Sequence, residues 1–191
     1  MRADEKISVL YIDDESNNLL SFQASFRRKY KIYIANSAAE GMGVLNDHLI
    51  HVIIADQRMP HSTGIEFFNI IRKAHPDPVR MLLTGYTDAE AIIDAINKGE
   101  IYRYIKKPWD EFELENAIQN AYEIFVTRDK LSKKIDELQK INDELNNLPN
   151  PEIGLILFMS KIIFFHDQLN RVINNPKRDG KTEHIKIINN K

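Results

Sequence analysis

Up to about residue 125 the chain alternates two hydrophobic periods, and this alternation limits what it can fold into. Short aliphatic and β-branched runs fall at 8–12, 31–35, 51–55, 79–83 and 102–106. Two of them, Val9-Leu10-Tyr11-Ile12 and Val52-Ile53-Ile54-Ala55, are apolar without interruption, as expected of parallel strands covered on both faces. Helix-length segments lie between the runs. Leu19, Phe22 and Phe26 make one helical stripe, and Ala89, Ile92, Ile93 and Ile96 make another. Ser37 ahead of Ala38-Ala39-Glu40 has the form of a capping box, and Gly99 after Lys98 is a helix-stop signal. Five βα units in this length predict an α/β fold, a doubly wound five-stranded parallel sheet. The order 2-1-3-4-5 is one of the two common solutions, and periodicity alone does not select it.

Beyond Ala121 the pattern changes. Ile124, Leu131, Leu138 and Leu145 recur every seventh residue, with Ile135 between them and Arg128 and Asn142 interrupting the seam. This spacing predicts that the last helix of the sheet domain (1–125) runs on as a coiled coil over 126–148. A homodimer through the 121–148 helix is the partner expected from it. Leu148-Pro149-Asn150-Pro151 should stop that helix. The tail, 149–191, has an apolar half at 153–165 and a half rich in Asn, Lys and Arg. The apolar half is hydrophobic nearly all round a helix and calls for burial if it folds.

Composition excludes several function classes. With no cysteine there is no disulfide framework, thiol catalysis or cysteine-ligated zinc. The six histidines, at 48, 51, 61, 75, 166 and 184, show no metal-ligand spacing. A formal net charge of -2 gives no global pull towards nucleic acid, and Lys177, Arg178 and Lys181 make only a modest basic patch. No phosphate-binding Gly-rich loop is present. The polar N-terminus shows no signal peptide, and the 153–165 run, which contains Lys161, is shorter than the roughly 20 residues a membrane span needs. The expected location is the cytoplasm, with no membrane partner.

The informative residues are those at the strand ends. Ligands of open α/β sheets bind beyond the C-terminal ends of the strands, where the strand order reverses. The first run ends in Asp13-Asp14, the third in Asp56, the fourth in Thr84-Gly85 and the fifth in Lys107-Pro108. Any one of these alone is ordinary: an acidic pair that caps a helix, an aspartate before a turn, a strand-to-loop junction, a lysine before a helix-starting proline. If the order is 2-1-3-4-5, three carboxylates converge, and they repel one another unless a cation neutralises them. An all-oxygen donor set suits Mg²⁺ or Mn²⁺. A carboxylate can accept a phosphoryl group as an acyl phosphate. A lysine can hold a phosphate oxygen as a point charge, and a threonine hydroxyl can donate to another.

These residues stand in a familiar sequence context. Tyr11-Ile12-Asp13-Asp14-Glu15, Ile53-Ile54-Ala55-Asp56-Gln57-Arg58-Met59-Pro60, Leu82-Leu83-Thr84-Gly85 and Tyr104-Ile105-Lys106-Lys107-Pro108-Trp109, in that order, resemble the receiver domains of two-component response regulators over roughly residues 6–125. The resemblance implies a flavodoxin-like fold. It implies transfer of phosphate from a histidine kinase or phosphotransfer protein to Asp56, with no other enzymatic activity than slow self-dephosphorylation. Asp13, Asp14, Asp56 and the backbone carbonyl of Arg58 would surround Mg²⁺. Lys107 would contact the phosphate, and Thr84 and Tyr104 would form the switch pair. Arg58 and Tyr86, each two positions beyond a site residue, occupy places thought to tune loss of phosphate; both are bulky, so a long-lived phosphorylated state is expected. Receivers with this Lys-Pro-Trp ending also resemble those placed before cyclic-dinucleotide phosphodiesterases or protein phosphatases. The alternative is therefore the regulatory front end of such an enzyme, with its output domain missing or unrecognised. The lack of a visible catalytic motif of either after residue 126 favours the free-standing switch.

Overall fold

A computed structural model describes residues 6–85, 89–147 and 151–174. The elements run β1 (Ser8–Ile12), α1 (Ser16–Phe26), β2 (Lys31–Ala35), α2 (Ala38–Asp47), β3 (Val52–Asp56), β4 (Arg58–Met59), β5 (Ser62–Thr63), α3 (Gly64–Ile71), β6 (Val79–Thr84), α4 (Ala89–Asn97), β7 (Arg103–Lys106), α5 (Glu111–Asn146) and α6 (Pro151–Asn174). Five strands form one sheet in the order β2-β1-β3-β6-β7, every neighbouring pair parallel. This is the 2-1-3-4-5 arrangement, with β1 and β3 flanking the point where the order reverses. The short β4 and β5 pair antiparallel just after β3.

Alternation along the strands builds two cores. Val9 and Tyr11 of β1, Val52 and Ile54 of β3, and Met81 and Leu83 of β6 face α1 and α5, meeting Leu19, Phe22, Leu114 and Ile118. Leu10, Ile12, Ile53, Ala55 and Leu82 face the other way, towards Leu45, Phe67, Phe68, Ile71 and Ile92. The continuous apolar runs therefore reflect a sheet buried on both faces.

Local signals act as their chemistry dictates. Ser37 caps α2, its hydroxyl accepting from Glu40 N–H at 3.4 Å. The Glu40 carboxylate takes Asn36 N–H instead of its own cap residue. A complete capping box lies at α3, between Thr63 and Glu66. Gly99 has φ of 69°, the left-handed conformation that a helix end favours. Two strand ends differ from the sequence expectation: Asp56 and Thr84 are the last residues of their strands rather than the first beyond them. Their backbones belong to the sheet ladder, which fixes where their side chains start.

The described residues fall into two compact units divided between Lys133 and Lys134, and α5 is one continuous helix of 36 residues. In the second unit the end of α5 and α6 form a hairpin. Lys134 Nζ lies 4.5 Å from the Phe165 ring centroid, and Glu144 pairs with Lys161 at 3.6 Å. Pro151 opens α6, a position where its missing N–H costs no helical hydrogen bond. In the apolar half of the tail, Leu155, Ile156, Met159, Ile162 and Ile163 are exposed.

Candidate functional site

Asp13, the residue after β1, anchors the site. Its backbone N–H donates to Ala35 O at 3.1 Å, and its side chain is fully buried. Four donors surround the carboxylate. Glu15 N–H and Asn18 Nδ2 each donate to Oδ1 at 3.0 Å; Lys107 Nζ donates to Oδ2 at 2.6 Å, and the Tyr11 hydroxyl donates to the same oxygen. Burial alone would raise this carboxyl, but Lys107, Tyr11, Asn18 and the Glu15 amide together hold it below the ordinary carboxylate range.

Asp56 closes β3. Arg58 N–H donates to its Oδ2 at 2.7 Å, and Lys107 Nζ makes a salt bridge to Oδ1. Here burial wins and the carboxyl is raised, despite Lys107 and the Arg58 amide, with the charge of Asp13 adding to the rise. Burial would lower the Lys107 ammonium, but the two carboxylates outweigh it and raise its affinity for the proton. One ammonium thus serves two carboxylates, and the cluster retains a net negative charge.

The chain behind these groups is tied down by backbone bonds. Gln57 N–H donates to Leu83 O and Lys107 N–H to Thr84 O, at 3.0 and 2.8 Å, so three strand ends are laced together. Gly64 sits under the acceptor: a Cβ there would lie 2.5 Å from Asp56 O and 2.6 Å from Leu82 Cδ2. His61, in the turn between β4 and β5, has φ of 72°, a left-handed conformation uncommon outside glycine.

The sequence-expected residues divide as follows. Asp13, Asp56 and Lys107 are in direct contact. Asp14 is exposed beside Asp13. Thr84 is 6% exposed, and Tyr104, two residues before the end of β7, is 48% exposed. Tyr86 lies outside the described residues. Two participants escaped the sequence reading: the Tyr11 hydroxyl and the Asn18 amide. Tyr11 stands on β1 two positions before Asp13, which continues the strand's extended path, so both side chains leave the same face. That spacing was the available signal, hidden because Tyr11 counted as one more apolar residue in its run.

The donor set suits a hard divalent cation. Asp13, Asp14 and Asp56 offer only oxygen, and Asp14 stands open at the surface, where a Mg²⁺ ion could keep several waters. Among the described residues no three acidic or histidine side chains form a ready-made cage. Lys107 stands between two of the three carboxylates, supplying the positive charge that a metal would share.

Comparison with known proteins gives the family of the domain that carries these residues. Residues 9–119 match the family model described as the response regulator receiver domain. The chain is 36% identical over 121 residues to the hydrogenase transcriptional regulatory protein HoxA of Cupriavidus necator, covering 63% of this chain and 25% of that protein. The HoxA protein of Bradyrhizobium diazoefficiens is 33% identical over 118 residues, covering 62% and 24%. The chain therefore spans about a quarter of the length of the curated relatives it matches. Among solved structures, the signal receiver domain of an HD domain-containing protein from Pseudomonas fluorescens Pf-5 superposes with a TM-score of 0.63 at 29% identity, covering 68% of this chain and 96% of that one. The beryllofluoride-activated NtrC4 receiver domain dimer gives 0.58 at 28% identity, covering 62% and 98%. This chain belongs to the response-regulator receiver family. It is a two-component signalling domain with a doubly wound sheet and a long C-terminal helix.

Proposed function

We propose that Asp56 accepts a phosphoryl group from the phosphohistidine of a histidine kinase or phosphotransfer protein. A carboxylate oxygen of Asp56 attacks phosphorus, the bond from phosphorus to the histidine nitrogen breaks, and an acyl phosphate forms. The observation that carries this reading is the single Lys107 ammonium joined to both Asp13 and Asp56. It supports a role for this ammonium in meeting the phosphoryl oxygens, and it leaves Asp56 partly neutralised before they arrive. Asp13, Asp14, Asp56 and the Arg58 carbonyl would hold Mg²⁺ (or Mn²⁺), which would neutralise charge on the phosphoryl group during transfer. Hydrolysis of the acyl phosphate is the only turnover we assign, and bulky Arg58 and Tyr86 would slow it.

The switch is a population shift, set by how much better the active form holds the phosphate. Thr84 would donate to a phosphate oxygen, and Tyr104, now half exposed, would turn inward. The domain would then change its protein contacts, in the cytoplasm, as a homodimer through the 121–148 helix. Exposed Leu131, Ile135 and Leu138 on α5 support that dimer. We assign the 149–191 segment no role in phosphotransfer.

The test is incubation with acetyl phosphate and Mg²⁺, read by intact mass, for wild type and Asp56→Asn. We expect one phosphoryl adduct on wild type and none on the variant; an unmodified wild type would overturn the reading.

A further inference from the structure

The buried phenol of Tyr11 is not explained by packing. Its ring is fully buried, stacked on Phe22 with centroids 4.4 Å apart and edge-on to Trp109 at 6.2 Å. A phenylalanine would fill that space equally well. The extra oxygen donates to Asp13 Oδ2, the same atom that Lys107 holds.

The two donors differ in mobility. Lys107 stands on a flexible four-carbon stem and its side chain is 21% exposed. Tyr11 is locked between rings on a central strand. If Lys107 leaves Asp13 to meet a phosphoryl group, Oδ2 loses a charged donor at a place where the side chain is 1% exposed and water does not reach it. A buried carboxylate oxygen without a donor is strongly unfavourable. Oδ1 gives no relief, because Glu15 N–H and Asn18 already occupy it.

We infer that Tyr11 is a positioning residue for Asp13: its hydroxyl keeps Oδ2 satisfied when Lys107 turns to the phosphoryl group. This inference rests on the function proposed above. Tyr11 therefore acts mainly after phosphorylation, when it is the fixed side-chain donor that holds Oδ2 in place beside the Mg²⁺ that Asp13 would ligate. In the resting form Lys107 covers the same atom.

Two measurements on the full chain test this. The first is binding of beryllofluoride with Mg²⁺, a phosphoryl mimic, to wild type and Tyr11→Phe. We expect affinity to fall about tenfold, the loss of one hydrogen bond to a buried charge. The second is urea unfolding in EDTA of wild type, Tyr11→Phe, Lys107→Ala and the double variant, a cycle in which the Lys107–Asp56 contact cancels. We expect Tyr11→Phe alone to shift the midpoint little, and the double variant to lose more than the two single losses together, because either donor alone covers Oδ2. Unchanged beryllofluoride affinity, or additive losses, would overturn the inference. A wild type that binds no beryllofluoride would overturn it together with the proposed function, whereas wild type and Tyr11→Phe binding equally would overturn the inference alone.

Discussion

The ammonium of Lys107 donates to Asp13 Oδ2 at 2.6 Å across 94 residues of sequence. This contact, with its twin to Asp56, ties the end of one edge strand to the centre of the sheet.

Removing the lysine should expose its energetic role. Lys107→Ala leaves two largely buried carboxylates without their shared cation, and breaking a buried pair this way costs about 3 kcal/mol. Urea unfolding in EDTA should show the loss, and added Mg²⁺ should restore part of it by binding the folded form. Equal stability of variant and wild type in EDTA would refute this account.

Asp56 should be a stability liability in the metal-free domain. Its carboxyl is raised in the folded protein, chiefly by burial. The folded state therefore binds a proton more readily than the unfolded chain, and stability falls as pH rises from the ordinary carboxylate value through the raised one. Asp56→Asn removes that fall. In EDTA at pH 7 we expect it to melt about 2–4 °C above wild type, with the difference shrinking on acidification. Calorimetry across the acid range decides it, and a variant that melts below wild type at neutral pH would contradict the assignment.

Gly64 should tolerate no side chain. A Cβ would press on the Asp56 carbonyl and on Leu82, and relieving it means moving backbone at the acceptor. Gly64→Ala should cost about 1–3 kcal/mol and weaken beryllofluoride binding. Gly43, whose added Cβ meets nothing within 4 Å, is the control: Gly43→Ala should leave both measurements nearly unchanged.

Tyr104 should lose accessibility on activation. It is half exposed now, so nitration by tetranitromethane, mapped by mass spectrometry, should modify it readily. Beryllofluoride with Mg²⁺ should suppress that modification in wild type but not in Thr84→Ala. Identical labelling with and without the mimic would remove Tyr104 from the switch.

The dimer can be challenged directly. Leu131 is 60% exposed and Leu138 lies one heptad further on. Charging both, as Leu131→Glu with Leu138→Glu, should convert a dimer to a monomer in light scattering without changing phosphorylation by acetyl phosphate. A wild type that is monomeric at all concentrations would exclude this interface.

Much of this architecture is legible in the residues. Val9-Leu10-Tyr11-Ile12 and Val52-Ile53-Ile54-Ala55 announce buried parallel strands because both faces must be apolar. Asp13, Asp56, Thr84 and Lys107 then fall at strand ends by counting. The counting did not separate Asp13 from its neighbour Asp14, one buried in four hydrogen bonds and the other exposed. That difference arises from Lys107, Asn18 and Tyr11, which reach Asp13 only after folding. The β4–β5 pair was also illegible, since two-residue strands have no period to detect. The 153–165 run reads as something to bury, but pattern alone does not say against what.

The Lys107 bridge has one further consequence. The resting pocket carries its own counterion inside the fold, so dissolved salt has little part in balancing its charge. Screening acts well on exposed ions and poorly on a pair whose side chains are 21% and 1% exposed. A sodium or potassium ion brings no more charge than the ammonium already in place. A competitor must offer a second charge, which makes the Lys107–Asp13 bridge itself weakly sensitive to ionic strength while leaving the pocket responsive to free Mg²⁺.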